Sequence, residues 1–214
     1  MKKITEILFI KRVLSFAIPS IIGAVISVIS IPLITRTFSP EEFGKINMFT
    51  LLVGVFSILV GLSLDQSYFR FFKEKNDGDR KLMLTQLITI MVFTFTIFLV
   101  ATVFFGKTLS IYIFGEYNFL IIHIALPVTV FMTILLAYKS IYFRMNEKAL
   151  SLGILTVSMI IINKLLLIIA SFYDSSYTTA ITLTTVGISA IAISCKIIVP
   201  KSFDINITKI GYKQ

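Results

Sequence analysis

Residues 31–50 read IPLITRTFSPEEFGKINMFT. The stretch is apolar, then abruptly polar, then apolar again. Its polar part holds Arg36, a turn signal at Ser39-Pro40, two acids at Glu41 and Glu42, and Gly44. It is an ordinary surface loop, a catalytic loop, or the short link between two membrane-spanning helices. The flanking sequence decides between them.

Hydrophobic residues make up 57% of the 214-residue chain and charged residues 14%, with a mean hydropathy of +0.94. Soluble domains carry about 25% charge and about 45–50% apolar residues. This chain has too few charges to coat a water-facing surface, and those it has are clustered between long uncharged runs. Crossing a hydrocarbon core of about 30 Å takes about 20 apolar residues in a helix. Six stretches meet that length, at about 13–35, 46–64, 82–105, 119–138, 150–172 and 178–199. The expected fold is all-α, a polytopic bundle of six transmembrane helices filling residues 1–199, with a tail over 200–214. The opening stretch is then a tight link. Ser39-Pro40-Glu41-Glu42 has the form of an N-cap followed by proline and acids in the first turn of a short helix.

The apolar run after Lys2, Lys3, Lys11 and Arg12 is too long for a signal peptide and has no Ala-x-Ala-like cleavage site, so the first helix is expected to stay. The single Cys195 rules out an internal disulfide and reads as a small packing residue.

Orientation follows from the lysines and arginines in short loops. The N-terminal segment, the second loop, the fourth loop and the tail together hold sixteen of them. The opposite side holds three, Arg36, Lys45 and Lys107. Both termini are therefore expected in the cytoplasm. The formal charge of +9 reads as topology and attraction to anionic lipid heads, not as nucleic-acid binding.

The longest loop, 65–81, contains FFKEKNDGDRK. Asp77 and Asp79 lack the further oxygen ligands of a calcium loop. With one histidine and scattered acids, the chain shows no metal cluster, no nucleophile-histidine-acid set and no phosphate-binding glycine loop. No enzyme activity, metal or cofactor is expected. Gly54 and Gly61, and the Thr, Ser, Ala and Gly of helix six, read as close helix packing. The other reading of helix six is a wall of a wet cavity.

Three ionisable positions stand out. Lys164, in MIIINKLLLI, falls near the middle of helix five beside Asn163. A charge there costs at least about 2.5–3.5 kcal/mol, and the interface is more than two turns away. It is either a ligand-facing cation or half of a structural ion pair, and no intramembrane carboxylate is evident. His123, in LIIHIALP, suits a structural hydrogen bond or a proton relay. Asp65 closes helix two and could pair with Arg70 or hold a coupling ion.

The segments RTFSPEEFG (36–44), GLSLDQSYFRFF (61–72) and YFRMNEKAL (142–150) resemble those of polysaccharide and O-antigen flippases. These belong to the multidrug/oligosaccharidyl-lipid/polysaccharide exporter superfamily, and the resemblance runs along the chain. It implies one lobe of a two-lobe transporter, with VPKSFDINITKIGYKQ as the start of the linker between lobes. It also implies a bacterial or archaeal cell membrane, and a polyprenyl-pyrophosphate-linked oligosaccharide as substrate. A second lobe or second copy is the expected partner. On that reading Arg12, Arg70 and Arg144 receive the pyrophosphate, since arginine suits bidentate phosphate contacts. Lys164 holds it midway and Arg36 releases it. Two readings compete. One is an inactive fragment or non-transporting membrane subunit. The other is a cation-coupled drug exporter, which would want a carboxylate deep in the lobe.

Overall fold

The computed structural model describes residues 2–71, 77–146 and 148–194, with the side chains of 2–16, 65, 77, 80, 81 and 84 outside that description. The expected tail at 200–214, the end of the sixth span and Cys195 therefore lie outside the described residues. The chain runs through α1 (Lys2–Thr37), α2 (Pro40–Gly61), α3 (Leu64–Phe71) and α4 (Asp77–Phe114). A π-helical stretch, Leu120–Ala125, leads into α5 (Leu126–Met145), followed by α6 (Ala149–Tyr173) and α7 (Tyr177–Ser194). No strand occurs among the described residues. Six segments are long and apolar enough to cross a membrane: Ala17–Thr37, Pro40–Gly61, Thr85–Phe114, Leu120–Met145, Ala149–Tyr173 and Tyr177–Ser194. Helix is the form such sequences must take in hydrocarbon, because it satisfies every backbone group within the segment.

The link between α1 and α2 is even tighter than the sequence suggests. Ser39 caps α2 itself, its Oγ accepting from the Glu42 N–H at 3.2 Å, with Pro40 in the first turn. The capped turn is thus the start of the second span, not a separate short helix. Phe38 tucks inward beside it, 4% exposed.

The span through α5 is the most buried of the six. It packs on α2, α7 and α6, while α4 packs on α2 and on the π-helical stretch. α1 rests mainly on α6, and α6 on α7. Small residues set these distances. A Cβ on Gly153 would stand 2.8 Å from Pro19 Cγ, and one on Gly23 would clash with Ile160, so α1 and α6 approach through both glycines. On the other side of α6, Gly187 of α7 leaves room for Ile162 and Leu166. Without a hydrophobic drive between helices in lipid, such close approach supplies the dispersion that holds them. Gly54 takes no part in it, since a Cβ there would meet nothing within 4 Å.

The hydroxyls of α7 turn inward on the helix. Thr182, Thr184 and Ser189 each donate to a carbonyl four residues back, at 2.8–2.9 Å. Thr185 instead meets Thr129 of α5, their buried Oγ1 atoms 2.9 Å apart. Of these contacts, the Thr185–Thr129 pair joins α7 to α5.

The π-helical stretch has a local cause in Pro127. Proline lacks an N–H, and its ring crowds the carbonyl four residues back, here that of His123. Widening the preceding turn relieves that crowding, and the Leu126 N–H reaches back to the Ile121 carbonyl.

Candidate functional site

The basic residues separate to the two ends of the bundle. Arg70 lies in the last turn of α3 and Arg144 in the last turn of α5, both exposed. α3 packs on α5, so one end carries both. Lys139 lies 5.7 Å from the Tyr142 ring and 5.3 Å from the Phe143 ring, and Lys148 lies 5.6 Å from Tyr142. Cations over aromatic faces at a membrane boundary keep charge in the interface while the stems cover apolar surface. Arg36 sits at the other end, exposed in the last turn of α1. Arg12 belongs to α1 and Asp65 to α3, but both side chains lie outside the described ones.

Lys164 is half-buried on α6. At 100° per residue, Gly153, Ile160 and Lys164 fall within about 40° of one another on the helix surface. Gly153 and Ile160 are the positions that meet α1, so the lysine lies along the α1–α6 seam. Among the described residues it has no ion-pair partner. The nearest acid along its own helix, Asp174, is about 15 Å away by helical rise.

His123 lies in the π-helical stretch, half-buried against α4. A Cβ on Gly106 would stand 2.7 Å from its Cε1. Its ring meets Phe119 at 4.8 Å and Tyr117 at 6.1 Å between centroids. The surroundings are aromatic and close-packed.

A cluster of six residues at the Arg36 end, Tyr177, Glu116, Glu42, Glu41, Lys45 and Phe114, has no counterpart in the sequence reading. Tyr177, 3% exposed at the start of α7, is its hub. Its hydroxyl donates to Glu116 Oε1 at 2.6 Å, and its backbone N–H donates to Glu42 Oε2. Its ring stacks on Phe114 at 5.7 Å and lies 4.9 Å from Lys45 Nζ. Lys45 pairs with Glu41 at 3.0 Å and Glu42 at 3.9 Å. Ser110 shapes the loop that delivers Glu116, donating to the Glu116 carbonyl at 2.8 Å and accepting from the Asn118 N–H at 3.0 Å. The loop turns through Gly115 at φ 78°, a conformation that favours glycine. Three connections are thereby tied at one end of the lobe. Tyr112, Tyr117, Phe119, Phe172 and Tyr173 are exposed around this end, where aromatic rings suit a membrane–water boundary.

Six long apolar helices with lipid-exposed faces and an interfacial aromatic ring define a multi-pass α-helical membrane protein. The sequence model of the polysaccharide biosynthesis protein family matches residues 9–212, and the chain belongs to that family. No curated protein and no solved structure matches it. The family assigns a role in polysaccharide synthesis or export. Among the described residues no three His, Cys, Asp or Glu side chains gather where a metal ion could be held.

Proposed function

We propose that the chain is a transporter lobe and not an enzyme, moving a polyprenyl-pyrophosphate-linked oligosaccharide between leaflets by alternating access. The observation that carries this reading is Lys164, a half-buried cation without an acid partner among the described residues, in the middle of a membrane span. A charge so placed is costly unless it meets water or an anion. A pyrophosphate head crossing the membrane is such an anion. Arg70 and Arg144, exposed at one end, would gather the head, and Arg36 would meet it at the other. Arg12 would join the first group. His123 and Asp65 stand as the coupling candidates.

The proposed setting is a bacterial or archaeal cell membrane with both termini in the cytoplasm. The clustering of Arg70, Lys139, Arg144 and Lys148 at one end supports that orientation. Reporter fusions after Tyr117 and after Lys148 should report outside and inside, respectively. The reverse pattern would overturn the orientation and the direction of transport with it.

A second lobe, or a second copy of this chain, would complete the path by giving Lys164 a water-filled face in place of lipid. The test is complementation in a strain lacking its own flippase. Surface polysaccharide should return with a candidate second lobe co-expressed, and the purified material should be larger than a monomer. Return with a strictly monomeric chain would remove the partner from the reading. No return with any partner would favour a non-transporting membrane subunit.

A further inference from the structure

A cleft of about 290 Å³ opens between α2 and α5, near the end that carries Arg70 and Arg144. Its polar lining is Ser57 from α2, Ser63 and Gln66 from the α2–α3 turn and α3, and Thr133 and Tyr138 from α5. Ile58 and Ile134 form its apolar wall. Two features keep it open. Gly61 and Ala137 are small, and a Cβ on Gly61 would still lie 4.0 Å from Ile134 Cγ1. Leu62 and Ser63 both take left-handed backbone, φ 49° each, which turns the chain from α2 into α3 beside the cleft. Side chains with a Cβ pay for that conformation, and strained turns of this kind gather at sites with a use.

Ser57 is the telling residue. Several hydroxyls in these spans close on their own helix, as Thr50 does on the Ile46 carbonyl and Thr129 on the Ala125 carbonyl. Ser57 Oγ is buried and has no hydrogen-bond partner among the described residues. An unsatisfied buried hydroxyl costs roughly 1–3 kcal/mol unless a bound group supplies the bond.

The lining selects the chemistry of that group. Among the described side chains no charged one lines the cleft, so those residues do not suit a bare phosphate, which is best held by cations. None of the described lining residues is a carboxylate, so they do not suit a hard metal ion. Five neutral side chains that can donate and accept, beside an apolar wall, suit a neutral ring with several hydroxyls. The volume is at the low end of ligand pockets, about 300–1,000 Å³, which is room for one ring and not for a chain of them. We propose that the cleft between α2 and α5 binds a single neutral sugar ring. Arg70 lies one helical turn beyond Gln66 on α3, on the same face, beside where a charged substituent of that ring would leave the cleft.

The inference deepens the flippase reading by naming the part of the substrate this cleft holds. Its test reads binding and not transport. In the full chain carrying Cys195→Ser, Ser63→Cys, at an exposed position of the cleft lining, should react with a small water-borne thiol reagent. Methyl glucoside or N-acetylglucosamine should slow that reaction several-fold, and inorganic pyrophosphate should not. Ala137→Phe, which fills the cleft, should abolish the sugar effect while leaving the thermal unfolding midpoint near that of the parent. An unreactive cysteine, no slowing by either sugar, or equal slowing by pyrophosphate would overturn the proposal. Slowing by sugar in a chain that restores no polysaccharide with any second lobe would retire the transport reading and leave the cleft. Restored polysaccharide without slowing would retire the cleft alone.

Discussion

Tyr177→Ala is expected to destabilise the lobe by about 3–5 kcal/mol, the range for removing a large buried aromatic side chain. The ring is 3% exposed and stacks on Phe114. Its hydroxyl is bonded to Glu116, so truncation opens a cavity and also strips a carboxylate of its donor. The effect should reach beyond α7, because Glu42 joins the N-terminus of α2 to the same residue. Tyr177→Phe keeps the ring and removes only the hydroxyl, leaving Glu116 short of one bond, for about 1–3 kcal/mol. Thermal unfolding of the purified protein in mild detergent would rank the three chains: parent, then Phe, then Ala. An alanine variant that unfolds with the parent would mean that this end of the lobe is not held through Tyr177. The rank also separates packing from hydrogen bonding, since a Phe variant equal to Ala would place nearly all the effect in the Glu116 bond.

What the sequence made legible follows the range of the interactions involved. The capping of α2 by Ser39 was readable because all its parts lie within four residues. The six spans were readable because each is a property of one uninterrupted run. Lys164 was readable because a charge in hydrocarbon is costly whatever surrounds it. The Tyr177 hub was not readable. Its bonds to Glu116 and Glu42 span 61 and 135 residues, and none of the cluster's side chains is unusual where it stands. The glycines show the same limit. Gly54 and Gly61 are seven apart and read as a packing face, yet the close approaches fall at Gly23, Gly106, Gly153 and Gly187, where a side chain of another helical element reaches the glycine. α3 was hidden in the charged loop, where its length falls short of a span and its first turn follows two left-handed residues. Pro127 was visible as a helix breaker, but a proline can kink, end or widen a helix, and the sequence alone does not choose the π-helical turn found ahead of it.

Lys164→Met should abolish restored surface polysaccharide, by at least tenfold, in the complementation strain that tests transport. The same substitution should leave the protein at parental levels in the membrane and no less stable in detergent. The two expectations together distinguish the roles open to this residue. A structural ion pair would break on losing its cation and leave a buried acid uncompensated, which is strongly destabilising at about 3–5 kcal/mol. No described acid is paired with Lys164, and methionine removes an insertion cost of at least about 2.5–3.5 kcal/mol without leaving a void of different length. A ligand-facing cation thus predicts loss of transport with stability kept or raised. Lys164→Arg should retain part of the activity, since it keeps the charge with a broader head. In the Cys195→Ser background, Lys164→Cys should react with a water-borne thiol reagent when the partner lobe is present. The position lies on the α1–α6 seam, so labelling there requires water to reach between those helices or along their shared edge. A methionine variant with full activity, or a cysteine protected in every state, would leave Lys164 as a packing residue. The passage of a charged head would then have to be sought among the exposed arginines at the two ends.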